Sequence, residues 1–316
     1  MAYPEGMRDK FLWYAQNKVH PQVRAWLSAE TVKKNLLNEV DEDLERFRSG
    51  ELAARFQHGC PVTGAKADDY KNRVLEVHGL TLLTGIRFLG LDMQKPFVDV
   101  LYSSEPVLTP EQLSSIKEAI HKEFDIFQPK RIRFYAPSHL PRFSEGGDKR
   151  LLAAPLGVML AQPGPETLRR VSLERATSLA FYADYEAVYK ELQAEHPELE
   201  EVVSLETRED MQGYLDDGYV FEIFVDNLWA GITALEDDVQ TGLSGLCVME
   251  IALAKAFRAQ GLGSAVQRHL ASELVKSNVD KDTLLFGTIG EVNVPARRTA
   301  ERAGRVDLGG HAWAAL

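Results

Sequence analysis

Two features of this 316-residue chain have the residue types and spacing to do chemistry: a glycine-bearing loop at 258–264 and a carboxylate, Glu250, just before it. The loop reads Arg258-Ala259-Gln260-Gly261-Leu262-Gly263-Ser264. It follows an apolar, β-compatible run, Leu246-Cys247-Val248-Met249-Glu250-Ile251-Ala252-Leu253, and it precedes Leu262, Ala265, Val266, Leu270 and Leu274 at helical spacing. A helix entered through glycines presents unpaired N–H groups and the positive end of its dipole, and Gly261 and Gly263 lack the Cβ that would hold a phosphate away. The segment therefore reads as a pyrophosphate cradle; the bland alternative is a strand-to-helix turn that merely tolerates glycine. It has neither the Gly-Lys-Ser/Thr end of a Walker loop nor the third glycine of the dinucleotide fingerprint. Glu250 is a carboxylate in an otherwise apolar strand, where burial would raise its pKa and suit it to accept a proton.

On these residues the chain resembles the GNAT (Gcn5-related) N-acetyltransferases, whose acyl-CoA pyrophosphate loop has the pattern Arg258-x-x-Gly261-x-Gly263 between a strand and an amphipathic helix. The order of elements supports the resemblance from about residue 171 to 316. It implies an α/β (α+β) acyltransferase fold with a mixed, mostly antiparallel sheet flanked by helices, with acetyl-CoA as co-substrate and no metal. It also implies cofactor contacts from the backbone at Ile251, Ala252 and Leu253, from Arg258, Ala259, Gln260, Gly261, Leu262, Gly263 and Ser264, and from Asn293 and Arg297. Asn293 read without the resemblance is a turn and cap residue, and Arg297 beside Arg298 a solvated cation. Attack of a neutral amine on the thioester needs a base, because alkylamines are protonated at neutral pH. Glu250 is the first candidate, ahead of Glu222 and Glu291, although counting back from the loop puts the family's strand glutamate at Cys247. The tyrosine that protonates the leaving thiolate in many members corresponds to Ala300, and the usual aromatic after the helix-ending glycine is Arg305. Tyr102, Tyr135, Tyr182, Tyr214 or His311 would have to substitute, or water. The missing acid motivates a second reading, a non-catalytic acyl-CoA-binding sensor.

Composition sets the outer limits. The length favours two domains, and 45% hydrophobic with 26% charged residues is ordinary for globular chains. A net charge of −11 argues against a nucleic-acid partner and against charged tRNA as a donor. Cys60 and Cys247 are too few for a disulfide framework and point to a reduced, cytoplasmic setting. No apolar signal core opens the sequence, and the longest apolar run, 151–161, is too short to span a membrane and carries Pro155.

The elements that must position the loop follow. Residues 1–57 read as helical; His20 and His58 there read as structural, having no further ligands at usable spacing. Runs at 80–88 and 96–102 read as strands, Thr109-Pro110-x-Gln112 as a capped helix start, and 131–135 as another strand. This first half has the alternation of the second without a Gly-x-Gly cradle, so it reads as a possible degenerate copy that binds no CoA. Stretch 144–149 reads as an exposed loop and 162–165 as a linker, dividing the chain into 1–165 and 166–316. Beyond lie a helix with an aromatic stripe at Tyr182, Tyr185 and Tyr189, taken as core, and a short helix capped by Thr207. A hairpin turns at Asp226-Asn227, and a polar turn is expected at 236–242.

Overall fold

The computed structural model describes residues 6–141, 146–199 and 203–316. Its helical start comprises α1 (Met7–Lys18), α2 (Pro21–Trp26), α3 (Ala29–Arg48) and α4 (Gly50–Gly59). Three of these begin on side-chain caps, since His20 Nδ1, Ser28 Oγ and Ser49 Oγ accept from the backbone N–H of Gln22, Thr31 and Leu52. His20 is accounted for by that role. Val32, Leu36, Val40 and Leu44 recur every four residues along α3 and form its buried stripe.

The chain then runs through β1 (Arg73–Val77), β2 (Leu80–Phe88), β3 (Pro96–Ser103), α5 (Pro110–Glu123) and β4 (Arg131–Pro137). Thr109 and Gln112 form the reciprocal capping box at the head of α5. There follow β5 (Gly146–Pro155), α6 (Leu156–Ala161), β6 (Val171–Arg175), α7 (Tyr182–Glu195), α8 (Arg208–Asp216), β7 (Val220–Val225) and β8 (Leu228–Gln240). The chain ends with β9 (Leu243–Leu253), α9 (Leu262–Lys276), β10 (Leu284–Gly290), α10 (Val294–Arg302) and β11 (Val306–Ala315). The fold is a mixed α/β architecture in which most strand pairs are antiparallel. Among the described residues no helix is long and apolar enough to cross a membrane.

Two compact units divide the chain: Met1–Asp148 with Gln240–Leu243 and Gly309–Leu316, and Lys149–Val239 with Ser244–Leu308. In the first, β1, β2 and β3 pair antiparallel, β3 and β4 parallel, and Gly309–Ala315 of the last strand antiparallel to β4. In the second, β6, β7 and β8 pair antiparallel, β9 lies beside β8 and runs parallel to β10, and β10 pairs antiparallel with β5. Both units thus carry one parallel pair, joined by a helix (α5 or α9) and closed by an antiparallel strand from elsewhere in the chain. The first unit's core is built on Leu82, Ile86, Val98, Ile116, Ile120 and Ile132. In the second, one face of the sheet packs on α7 and α8, the other on α9.

Two loop expectations fail. Ser144 and Glu145 lie outside the described residues, but Gly146 to Lys149 already belong to β5, where Asp148 is buried and Arg133 Nη1 donates to it over 3.3 Å. The polar stretch at 236–240 is strand rather than turn, because its residues alternate between half-buried and exposed. The turn is only Thr241-Gly242, both at positive φ. Its amides donate to the Glu39 carboxylate of α3, and the Gly242 carbonyl accepts from Asn35. The hairpin at Asp226-Asn227 forms as expected, with φ of 49° and 65°.

Candidate active site

β9 carries the site. Its parallel pairing with β10 covers only Gly245 to Cys247 against Leu284 to Phe286, although β9 runs on to Leu253 and β10 to Gly290. Beyond Cys247 the two strands part, and β10 keeps only its other neighbour, pairing Gly287 to Gly290 with β5. On the opposite edge β9 stays close to β8. The Ala254 amide donates to the Ala230 carbonyl at 2.8 Å, and a Cβ on Gly231, at φ 147°, would lie 1.9 Å from the Ala252 carbonyl oxygen. Ala252 and Ala254 therefore face β8, and by strand alternation Ile251 and Leu253 present their backbone to the gap. Leu253's carbonyl already accepts from Arg258 Nε at 2.7 Å. Of the three residues the resemblance singles out, Ile251 is the one whose backbone faces the gap without a partner on β8, its amide being turned to the Glu250 carboxylate.

Glu250 is buried on the α7 side of β9. Val248, two residues earlier, packs on the α9 side, so β9 changes face between them; strict alternation would have put both on one side. The Tyr185 hydroxyl donates to Glu250 Oε2 at 2.6 Å, and Tyr189 donates to the same oxygen in a short contact. Desolvation pushes the Glu250 carboxyl up to about 7, against the pull of both tyrosines and of the Ile251 amide, which favour the carboxylate. Burial and the neighbouring carboxylate drive both tyrosines well above the ordinary phenol range, so they remain neutral donors. Tyr185 also accepts from the Glu206 amide at 3.1 Å, while Tyr182 and Tyr214 donate to the Glu206 carbonyl and carboxylate. Burial raises the Glu206 carboxyl as well.

The aromatic stripe of α7 is thus core by burial and site by hydroxyl. Its spacing at 182, 185 and 189 puts all three phenols on one helix face, and a buried phenol requires a hydrogen-bond partner. Tyr185, Tyr189 and Glu206 are the residues that sequence reasoning missed. Because both hydroxyls stabilise the charged form, Tyr189→Phe is expected to raise the pKa of Glu250 further; the acidic limb of the pH–rate profile should move upward, where a merely structural tyrosine would leave it in place.

In the loop, Ala259 and Gly261 are left-handed, at φ 58° and 70°, and Ala259, Gln260 and Gly261 are exposed. Gly261 is the N-cap of α9 and offers no side-chain cap, so the first-turn amides of a 15-residue helix have no capping side chain. A Cβ on Gly261 would meet nothing within 4 Å. That open approach over a helix N-terminus fits a phosphate oxygen. The two glycines differ, however: a Cβ on Gly263 would sit 2.6 Å from Thr299 Cγ2, so Gly263 is required by the packing of α10 on α9. Leu262 is buried, and Ser264 Oγ donates to the Gly261 carbonyl at 3.4 Å, as does Thr167 at 3.2 Å.

Arg258 spends its donors inside the protein, on the Leu253 carbonyl, on Glu195 at 3.0 Å and on the Val188 carbonyl at 3.0 Å. It clamps the loop to β9 and α7. A cation that does sit at the loop is Arg170, which donates to Gln260 Oε1 at 3.3 Å and pairs with Asp226. Asn293 caps α10, its Oδ1 accepting from the Ala296 amide at 3.2 Å, and Arg297 lies 4.0 Å from Glu301. Ala300 is fully buried, and Arg305 enters the core, donating to the Leu152 and Gly287 carbonyls and to Gln267. Of the substitute acids, Tyr182 and Tyr214 are engaged with Glu206, and Tyr102, Tyr135 and His311 belong to the first unit. Glu222 stands on β7 opposite Glu174, and Glu291 follows β10. Cys247 is buried, and desolvation pushes its thiol up to about 12. Among the described residues no cluster of metal-ligating side chains occurs.

No family model and no curated protein matches the chain. Solved structures do. A GCN5-related N-acetyltransferase from Kribbella flavida is 15% identical over 85% of this chain and 95% of its own, with a TM-score of 0.43. One from Sphaerobacter thermophilus is 12% identical over 84% of each chain, at 0.46. A tandem GNAT protein from the clavulanic acid biosynthesis pathway is 12% identical over 85% of this chain and 96% of its own, also at 0.46. The chain is similar to GCN5-related N-acetyltransferases over most of its length. Which residues act rests on the geometry above.

Proposed function

We propose that the second unit is an N-acetyltransferase that moves an acetyl group from acetyl-CoA to a primary amine by direct attack. The observation that carries this reading is Glu250: a fully buried carboxylate, held by two phenols, on the strand whose parted edge leads to the uncapped N-terminus of α9. Acetyl-CoA supplies an acyl group activated as a thioester. The α9 amides and the open face of Gly261 hold its pyrophosphate, with Ala259, Gln260 and Ser264 shaping the turn and Leu262 anchoring it in the core. Asn293 and Arg297, at the head of α10, complete the proposed contacts. Backbone at Ile251 positions and polarises the acyl carbonyl, supplying proximity and oxyanion stabilisation.

Glu250, with a carboxyl near 7, takes the proton that the amine must lose; the amine nitrogen bonds to the acyl carbon as the C–S bond breaks. Ala300 offers no acid, so the thiolate leaves as such and solvent protonates it. Arg258 acts here by clamping the loop. The proposed domain spans 166–316, all of it in the second unit save Gln240–Leu243 and Gly309–Leu316, in a cytoplasmic enzyme without nucleic-acid or membrane partners, and the first half binds no CoA.

The sensor reading draws on the same absence at Ala300, and one assay separates the two. Incubated with acetyl-CoA and a panel of primary amines, the full chain should release free CoA in step with a mass increase of one acetyl group on an amine. Binding of one CoA per chain by calorimetry with no turnover on any amine would favour the sensor.

A further inference from the structure

We propose, resting on the acyl-CoA reading of the second unit, that Arg305 supplies the charge that stabilises the departing CoA thiolate, in place of the acid that Ala300 cannot provide. Arg305 follows Gly304 at the end of α10, and its amide donates to the Ala300 carbonyl at 3.0 Å. It thus hangs from the helix turn that lacks the acid. Its side chain enters the core, and the residue is only 4% exposed. The guanidinium donates to the Leu152 carbonyl at 2.8 and 3.2 Å, to the Gly287 carbonyl at 3.2 Å and to Gln267 Oε1 at 3.4 Å. Every one of these acceptors is neutral, and among the described residues no carboxylate pairs with it. Burial lowers its pKa only to about 10, so it stays cationic at neutral pH.

The guanidinium stands where β9 and β10 part. Their parallel ladder ends at Cys247 and Phe286, and Gly287 is the next residue of β10. A Cβ on Gly287 would lie 3.1 Å from Arg305 Nη2 and 3.0 Å from the Val248 carbonyl oxygen. An apolar side chain could fill this part of the core at little or no loss of stability, so packing does not call for the charge. Neutral acceptors satisfy the hydrogen bonds of the guanidinium but leave its field uncancelled, and a dry core screens that field weakly. The Cys247 thiol, on the last rung of the ladder, already feels it: Arg305 favours the thiolate there, although desolvation outweighs the effect. The groups that shift Glu250, on the other face of β9, do not include Arg305. The field therefore falls on the gap, where negative charge develops during transfer. As the amine nitrogen bonds to the acyl carbon and the C–S bond breaks, the electron pair passes to sulfur; Arg305 keeps its proton, and solvent protonates the thiolate.

The test titrates the thiol of CoA bound to the full chain, read from the ultraviolet absorbance of the thiolate after subtraction of the protein alone. Binding should lower the thiol pKa by about one unit or more relative to free CoA. Arg305→Gln keeps a donor for the carbonyls and removes the charge, so it should return the thiol to the free value or above. Arg305→Lys should retain most of the shift. With acetyl-CoA and an amine, Arg305→Gln should lower kcat about tenfold or more with CoA affinity held within a few-fold, and the acidic limb near pH 7, which belongs to Glu250, should stay in place. A merely structural arginine would alter affinity or melting and leave the thiol pKa alone. An unshifted thiol in the wild-type complex would overturn the role, whether or not Arg305→Gln folds, and so would equal thiol pKa values in wild type and Arg305→Gln. Failure of the wild type to bind CoA in calorimetry would instead overturn the acyl-CoA reading, and this role with it.

Discussion

Glu250→Gln is expected to lower kcat by about a hundredfold or more while changing acetyl-CoA affinity little, the signature of a lost general base. The side chain keeps its shape, and its amide oxygen can still accept from Tyr185 or Tyr189, so the pocket should persist. Part of the rate should return at high pH, where the amine acceptor loses its own proton without help. Wild-type enzyme should show kcat/KM rising with pH through about 7, the value to which burial pushes this carboxyl. The same shift makes a stability prediction of opposite sign. Since the folded pKa is raised above the ordinary 4.5, the native state between pH 4.5 and 7 retains a proton that the unfolded chain has released. Stability must then fall as pH rises across that window, by an amount on the order of 3 kcal/mol at one pKa unit per 1.36 kcal/mol. Glu250→Gln should flatten that slope and be more stable than the parent at pH 8. Denaturant melts at pH 5, 6, 7 and 8 measure it, and a variant with parental activity at neutral pH would remove Glu250 from the mechanism.

Much of this was readable from residue order. The α5 capping box, the hairpin at Asp226-Asn227 and the strand–loop–helix around Gly261 are local signals, each fixed by a few adjacent residues, and the structure reproduces them. The pairing of Glu250 with Tyr185 and Tyr189 spans more than sixty positions and depends on β9 changing face, which no strict period of two can reveal. Arg258 shows the converse limit. Its place in the motif was evident, but not the Glu195, Val188 and Leu253 acceptors that claim its guanidinium. The strand at 236–240 was hidden by composition, because a polar, solvent-reaching hairpin arm resembles a turn until Thr241 and Gly242 show where the chain reverses. The last strand was equally hidden: nothing in Gly309 to Ala315 announces that it pairs with β4, 178 residues earlier by the register of Ala312 with Phe134.

Gly261→Ala should weaken CoA binding at least tenfold, and Gly261→Val more, at a cost in stability of about 1–2 kcal/mol for placing a Cβ in the left-handed region. The added carbon meets no protein atom within 4 Å, so the loss of affinity would come from the space over the α9 amides and from the turn that aims them. Gly263 supplies the control. Its Cβ would press on Thr299 Cγ2, so Gly263→Ala should destabilise the fold through α10, and adding Thr299→Ala should restore stability by giving the new methyl room. If Gly263 acts through packing alone, the Gly263→Ala/Thr299→Ala pair should bind CoA within a few-fold of the parent, while Gly261→Ala stays defective with Thr299 intact. Calorimetric titration with CoA and with inorganic pyrophosphate, alongside denaturant melts, separates these effects. Parental CoA affinity in folded Gly261→Val would mean that the helix N-terminus is not where the pyrophosphate binds, and the acyl-CoA reading of the second unit would fall with it.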